Sequence, residues 1–108
     1  MKRVMLTDGA ARGLDEWYLG AHARGGAREA TRILDRIEIV LQGLADGSLR
    51  GEVVPELRHL GRHAERQVVT DEGLRVVFRS TTERIVVILL APMKQSFQAL
   101  LERRLLDG

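Results

Sequence analysis

The sequence contains no cysteine. This absence excludes a disulfide framework and a thiolate-ligated metal site, and it suits a reducing cytosol. The longest apolar run, Ile85 to Ala91, is far shorter than the ~20 residues that a membrane-spanning helix needs. Charges interrupt residues 6–17, so the sequence predicts no secretory signal. We therefore expect a soluble cytoplasmic protein with no membrane partner.

Length and composition predict a single small domain, residues 1–108. The apolar share of 44% is ordinary for a globular protein. The net charge is only +2, yet 15 of the 17 basic residues are arginine. Arginine presents a planar fork of donors that suits phosphate. A GC-rich coding sequence explains the same bias equally well, so the positions of the arginines matter more than their number.

The first half of the chain predicts a strand followed by two helices. Lys2–Leu6 is a short strand, and Thr7 and Asp8 supply side-chain oxygens that cap a helix. Gly25-Gly26 interrupts the helical spacing, so a second helix is predicted over Ala27–Ala45. The two helices are expected to form a hairpin.

The second half predicts three strands and a helix, after a loop that runs from residue 46 through Pro55. Ala64–Thr70 and Leu74–Arg79 are strands, the second with the alternation of a half-buried strand. Ile85–Leu90 is apolar throughout, as in a strand covered on both faces, and Lys94–Leu106 is an amphipathic helix. The fold class is therefore α+β: strand, two helices, three-stranded antiparallel meander and C-terminal helix. We expect the helices on one face and the first strand at an edge or beside the central strand.

Two groups of side chains on the predicted helices admit two interpretations. Arg28, Arg32 and Arg36 recur one turn apart, where like charges repel. We interpret them as a solvated helix face rather than as a surface that binds nucleic acid. For Trp17 and Tyr18, we expect packing in the core rather than a role as a platform on which nucleotide bases stack.

Several local strings, taken in order, resemble the RelE/ParE toxin superfamily of bacterial toxin–antitoxin systems, with the closest similarity to its phage-derived HigB-like branch. Together they span nearly the whole chain. The strings are Asp8 to Leu14 at the first helix, Glu56 to Gly61 (ELRHLG), Gly73 to Phe78 (GLRVVF), Arg84 to Leu89 (RIVVIL) and Lys94-Gln95-Ser96 at the last helix.

This resemblance implies the toxin of a type II toxin–antitoxin system with a small RelE-like fold. RelE and HigB members are metal-independent messenger-RNA endoribonucleases that act in the ribosomal A site. ParE members instead inhibit DNA gyrase without cutting, and a decayed member would bind only its antitoxin. The implied partners are a cognate antitoxin, messenger RNA and the ribosome, with a higher-order toxin–antitoxin complex as a further expectation.

The resemblance also implies site residues. Arg58, Arg75 and Lys94 match basic family positions and are predicted to contact phosphate, where cations stabilise the charge that develops on phosphorus. His59 and His63 are candidates for proton transfer, with a structural role as the equal alternative. Three further arginines are predicted to bind RNA: Arg62, Arg66 and Arg79. No cofactor is implied, and the histidines lack a metal-ligand spacing.

Two positions depart from the family pattern. Several RelE-type members carry a tyrosine near the last helix, where this chain has Phe97 and its one tyrosine, Tyr18, lies elsewhere. The family string E-L-R corresponds to Glu65-Arg66-Gln67. Either the strand shifts by one residue, which would turn every side chain over, or the arginine contact is altered.

Overall fold

The computed structural model describes residues 1–58, 60–62, 64–92 and 105–106. Within them the chain forms an α+β fold, as predicted, with a sheet of five strands in the order β1-β5-β4-β3-β2. The elements are β1 (Arg3–Leu6), α1 (Asp8–Asp46), β2 (Glu52–Val53), α2 (Pro55–Arg58), β3 (Glu65–Val69), β4 (Leu74–Ser80) and β5 (Arg84–Pro92).

The sheet combines an antiparallel meander with a parallel edge strand. β3, β4 and β5 pair antiparallel, as predicted, across a tight turn at Gly73 with φ 84°. β1 runs parallel to β5, with Arg3 opposite Arg84. The apolar β5 therefore lies between β1 and β4, which confirms that the first strand joins at an edge beside it.

Helix α1 is broken at the predicted glycine pair. Gly26 has φ 73° and ψ −163°, a backbone conformation that is essentially restricted to glycine. A straight helix of this length would extend about 58 Å, whereas the longest extent of the molecule is 41 Å. Helix α1 therefore bends at Gly26, which confirms the predicted break, and the hairpin stays a prediction.

The N-terminus of α1 depends on Thr7. Its Oγ1 accepts a hydrogen bond from the backbone N–H of Ala10 at 3.2 Å. We expect Thr7→Ala to lower the free energy of unfolding by about 1 kcal/mol, because a helix N–H loses its acceptor. Thr7→Ser should retain nearly all of the wild-type stability, because the hydroxyl acceptor remains. Urea unfolding of both variants checks this, and equal loss in the two would contradict the cap.

The main core lies between α1 and one face of the sheet, which we call the first face. Register places the side chains of Leu74, Val76 and Phe78 of β4 on this face. They pack against Ile33 and Ile37 of α1. Each such side chain contributes about 1.5–3 kcal/mol when removed from water, so this layer supplies most of the hydrophobic stabilisation.

A smaller core covers the opposite face of the sheet and corrects two predictions. It contains Val77 and Leu89 of the sheet together with Leu57 of α2. Helical structure is therefore not confined to one face. β4 is also not half-buried, because Leu74 through Phe78 are all buried, whereas the prediction left the face of Arg75, Val77 and Arg79 exposed.

The predicted loop between residues 46 and 55 also needs correction. It contains β2, which pairs antiparallel with β3, and it leads directly into α2. Of the predicted C-terminal helix, residues 94–104 lie outside the described residues. Leu105 and Leu106 are helical, and Leu105 packs against the smaller core. Among the residues that the structure covers, no helix is long and apolar enough to cross a membrane.

Arg32 and Arg36 of the first ambiguous group on α1, and Trp17 of the second, have structural contacts, while the roles of Arg28 and Tyr18 stay predictions. Arg32 bonds to Glu29 and to Glu72 of the β3–β4 turn, and Arg36 bonds to Asp71 and Glu72. The turn thus supplies much of the negative charge opposite these arginines. A separate aromatic side chain, that of Trp17, packs against the main core.

Candidate nucleic-acid interface

Three of the predicted site residues, Arg62, Arg75 and Arg79, lie on the sheet face opposite α1, which we call the second face. Side chains alternate along a strand, so register assigns each residue to a face. The second face is formed by Arg3 on β1, Arg84 and Val86 on β5, Arg75, Val77 and Arg79 on β4, and Glu65 and Gln67 on β3.

Arg75 is buried and paired at one end of this face. Its Nη1 donates to Glu56 Oε2 of α2 at 2.6 Å, and the Arg75 side chain is 10% exposed. Charge-assisted pairs of this kind hold both groups in a fixed geometry. The predicted contact of Arg75 with phosphate stays a prediction, and in this structure a carboxylate occupies part of its donor set.

Glu65 organises two more of the predicted arginines. Its side chain is fully buried, and its Oε1 accepts hydrogen bonds from Arg62 Nη2 and from Arg79 Nη2, the latter at 3.1 Å. Arg79 Nε also donates to the same oxygen at 3.3 Å. Arg62 and Arg79 keep about two fifths of their side chains exposed. Glu65 is therefore a positioning residue that holds two partly exposed guanidinium groups on the second face.

The charge state of Glu65 follows from these contacts. Burial acts to raise the pKa of Glu65, but hydrogen bonds from Arg79, from its own backbone and from Arg62 outweigh burial, so the pKa lies below its ordinary value. Glu65 is therefore ionised at neutral pH. Its other oxygen, Oε2, is buried and has no hydrogen-bond partner among the residues that the structure describes.

The register of β3 divides the string Glu65-Arg66-Gln67 between the two faces of the sheet. Glu65 and Gln67 lie on the second face, where Gln67 Nε2 donates to Glu52 Oε1 at 2.9 Å. Arg66 lies opposite Phe78 and so on the first face, where it donates to the backbone carbonyls of residues 50 and 51. Gln67 therefore lies on the second face with Glu65, and Arg66 is separated from Arg62 and Arg79.

Two arginines that the sequence reasoning missed extend the second face. Arg3 and Arg84 are exposed and lie directly opposite each other on β1 and β5. Within the described residues neither forms an ion pair with a carboxylate, and like charges at this position repel. Arg84 is two residues from Val86, the partner of Arg79. Only the parallel pairing of the first strand with the fifth brings Arg3 here, and no local pattern signals it.

Of the remaining predicted residues, Arg58 ends α2 and is exposed. His59, His63 and Lys94 lie outside the described residues, as does Phe97, so their roles stay predictions. No group of His, Asp or Glu side chains in the described part of the chain could hold a metal ion.

The second face thus carries a row of guanidinium groups across its strands, from Arg3 through Arg84 and Arg79 to Arg62. Among the described residues, Glu65 is the carboxylate that pairs with members of this row. The row has the chemistry of an anion-binding surface, since several guanidinium donors can bind successive phosphates of an extended backbone. Its proton-transfer groups would have to come from residues beyond this row.

Comparisons with known proteins bear on the fold. No family model matches the sequence, and no curated protein matches it significantly. The structure is similar to a chain of a solved structure described as the chromosomal ParDE TA system from P. aeruginosa, with a TM-score of 0.70 and 16% sequence identity. The match covers 87% of this chain and 98% of that one. At this identity the similarity establishes a shared fold, as the family resemblance predicted.

Proposed function

We propose that this chain is the toxin of a type II toxin–antitoxin system. We further propose that it is a HigB-like, metal-independent endoribonuclease that cleaves messenger RNA on the ribosome in the cytoplasm. The shared fold with a ParDE TA system chain supports a toxin and a cognate antitoxin partner. The observation that carries the nucleic-acid part is the row of arginines across the second face.

The proposed reaction needs no metal. The 2′-hydroxyl of a nucleotide attacks the adjacent phosphorus, a base accepts the hydroxyl proton, and an acid protonates the departing 5′-oxygen. Arginine side chains of the second face would bind the phosphate oxygens and stabilise the added negative charge. His59 and His63 are the proton-transfer candidates, and Lys94 is a further phosphate contact.

Arg84 provides the cleanest test of the proposed surface. It is exposed and makes no ion pair in the described chain, so Arg84→Ala leaves no buried carboxylate without a partner. We expect cleavage to fall about ten-fold, because one cation of the phosphate-binding row is lost. The measurement maps 5′ ends of cellular transcripts after expression of each variant.

Arg28→Ala is the matched control, since Arg28 is an exposed arginine of α1 and not of the second face. Cuts phased with codons in the wild type and control, and reduced in Arg84→Ala, support the ribonuclease. Growth arrest with intact transcripts and an induced DNA-damage response would overturn it in favour of gyrase inhibition. Normal growth of cells that express the wild-type chain would overturn the proposal that it is a toxin.

A further inference from the structure

A groove of about 710 Å³ opens on the first face, where α1 ends beside the last residues of β4. Its volume is within the range of about 300–1,000 Å³ typical of ligand sites. Leu44, Leu49, Phe78 and Ile85 provide its apolar lining. The groove is separate from the second face, because Phe78 and Ile85 point toward α1.

Three basic residues line the same groove: Lys2, Arg50 and Arg66. Lys2 Nζ donates to Ser80 Oγ at 2.7 Å. Arg66 donates from Nε to the Arg50 carbonyl at 3.1 Å and from Nη2 to the Gly51 carbonyl at 3.0 Å. These acceptors are neutral, so they fix two cations in position and leave their charges intact.

No carboxylate within the described ranges pairs with these three cations, in contrast to Arg62, Arg75 and Arg79 on the second face. Two negative groups oppose them only in part. Asp46 lines the groove, and the hydrogen bond from the Ser48 backbone lowers its pKa, so it is ionised. The C-terminus of α1 adds about half a negative charge. The three cations exceed this sum, and the groove keeps a net positive charge.

The apolar lining indicates which anionic ligand fits. Phe78 is 2% exposed, so its ring has no free face on which a nucleotide base could stack. Leu44 and Ile85 are as buried as Phe78, whereas Leu49 is partly exposed. The accessible part of the groove therefore offers one leucine, and the cations beside it suit carboxylates.

We infer that this groove binds an acidic segment of a partner polypeptide, one that places carboxylates against Lys2, Arg50 and Arg66 and an aliphatic side chain against Leu49. The inference goes beyond the proposed RNA cleavage and does not depend on it, because the groove opens on the other face of the sheet.

The test is binding of synthetic peptides to the full chain, read by fluorescence anisotropy. The probe is a short fluorescein-labelled peptide in which leucine alternates with glutamate, and its matched control replaces each glutamate with glutamine. We expect the glutamate peptide to bind at least about ten-fold more tightly. Arg50→Glu should weaken it about ten-fold, because one attractive pair is lost and a repulsive one is added.

Arg28→Glu makes the same charge change on the exposed surface of α1, and it should change the dissociation constant less than about two-fold. Lys2→Glu is a second groove variant with the same expected loss, and circular dichroism confirms that each variant is folded. Absent binding, equal binding of both peptides, or equal loss in Arg28→Glu would overturn the inference. Displacement of the peptide by an oligouridylate in an Arg50-dependent manner would overturn it in favour of RNA.

Discussion

Replacement of Gly13 by alanine is expected to lower the free energy of unfolding by about 3 kcal/mol. A Cβ atom at Gly13 would lie 2.2 Å from the backbone carbonyl oxygen of Leu90. No side-chain rotation relieves a contact with backbone, so α1 would have to move away from β5. That movement would loosen the main core, which outweighs the gain of about 1 kcal/mol that alanine brings to a helix.

Gly20 provides the matched control on the same helix. A Cβ there would meet only Arg24 Nη1, at 3.2 Å, which is the end of a flexible side chain. Gly20→Ala is therefore expected to leave stability unchanged or to raise it by up to about 1 kcal/mol. Urea unfolding midpoints of the two variants measure the difference. Equal stability would show that Gly13 is not a point of close approach between helix and sheet.

The second large effect concerns Glu65. We expect Glu65→Gln to lower the free energy of unfolding by about 2 kcal/mol at neutral pH, because two guanidinium groups lose their shared carboxylate. The loss lies below that of a fully buried ion pair, since Arg62 and Arg79 are about two fifths exposed and remain hydrated.

The pH dependence of this effect has a definite sign. The pKa of Glu65 is lower in the folded chain than its ordinary value, so the folded state binds the proton more weakly than the unfolded state does. The carboxylate therefore contributes its full stability above the unfolded pKa of about 4.3. That contribution disappears as the pH falls through the lower, folded pKa. The difference between wild type and Glu65→Gln should therefore be largest at neutral pH and shrink toward pH 3.

Glu38→Gln is the control for this comparison. Glu38 is exposed and makes no ion pair within the described chain, so its loss should change stability by less than about 0.5 kcal/mol at either pH. Chemical unfolding at pH 7 and pH 3 provides the data. A difference for Glu65→Gln that is the same at both pH values would exclude the lowered pKa.

The features that could be predicted from sequence are those that local residues determine. The run Ile85–Leu90 and the Gly73 turn locate the last two strands, and Gly26 locates the break in α1. β2 and α2 could not be predicted, because two and four residues are too few to show a period. The pairing of β1 with β5 depends on tertiary structure, so the juxtaposition of Arg3 and Arg84 was not accessible either.

The candidate site likewise contains residues that local sequence could predict and contacts that it could not. Its arginines could be predicted from their positions in family-like strings, but their acidic partners could not. Glu56 reaches Arg75 from α2, and Glu65 reaches Arg79 across a strand pair, so both contacts require the folded sheet. The sequence also did not determine on which face of the sheet Arg66 lies, since that depends on the register of β3 against β4.

The parallel pairing of β1 with β5 determines when, during synthesis, the sheet can be completed. A ribosome would synthesise Arg84 some 80 residues after its partner Arg3. At synthesis rates of about 5–20 residues per second, the first strand would wait roughly 4–16 s for its neighbour. No nascent chain that ends before Arg84 can present the paired arginines. An incomplete product would therefore lack part of the proposed RNA-binding surface while it is still attached to the ribosome that makes it.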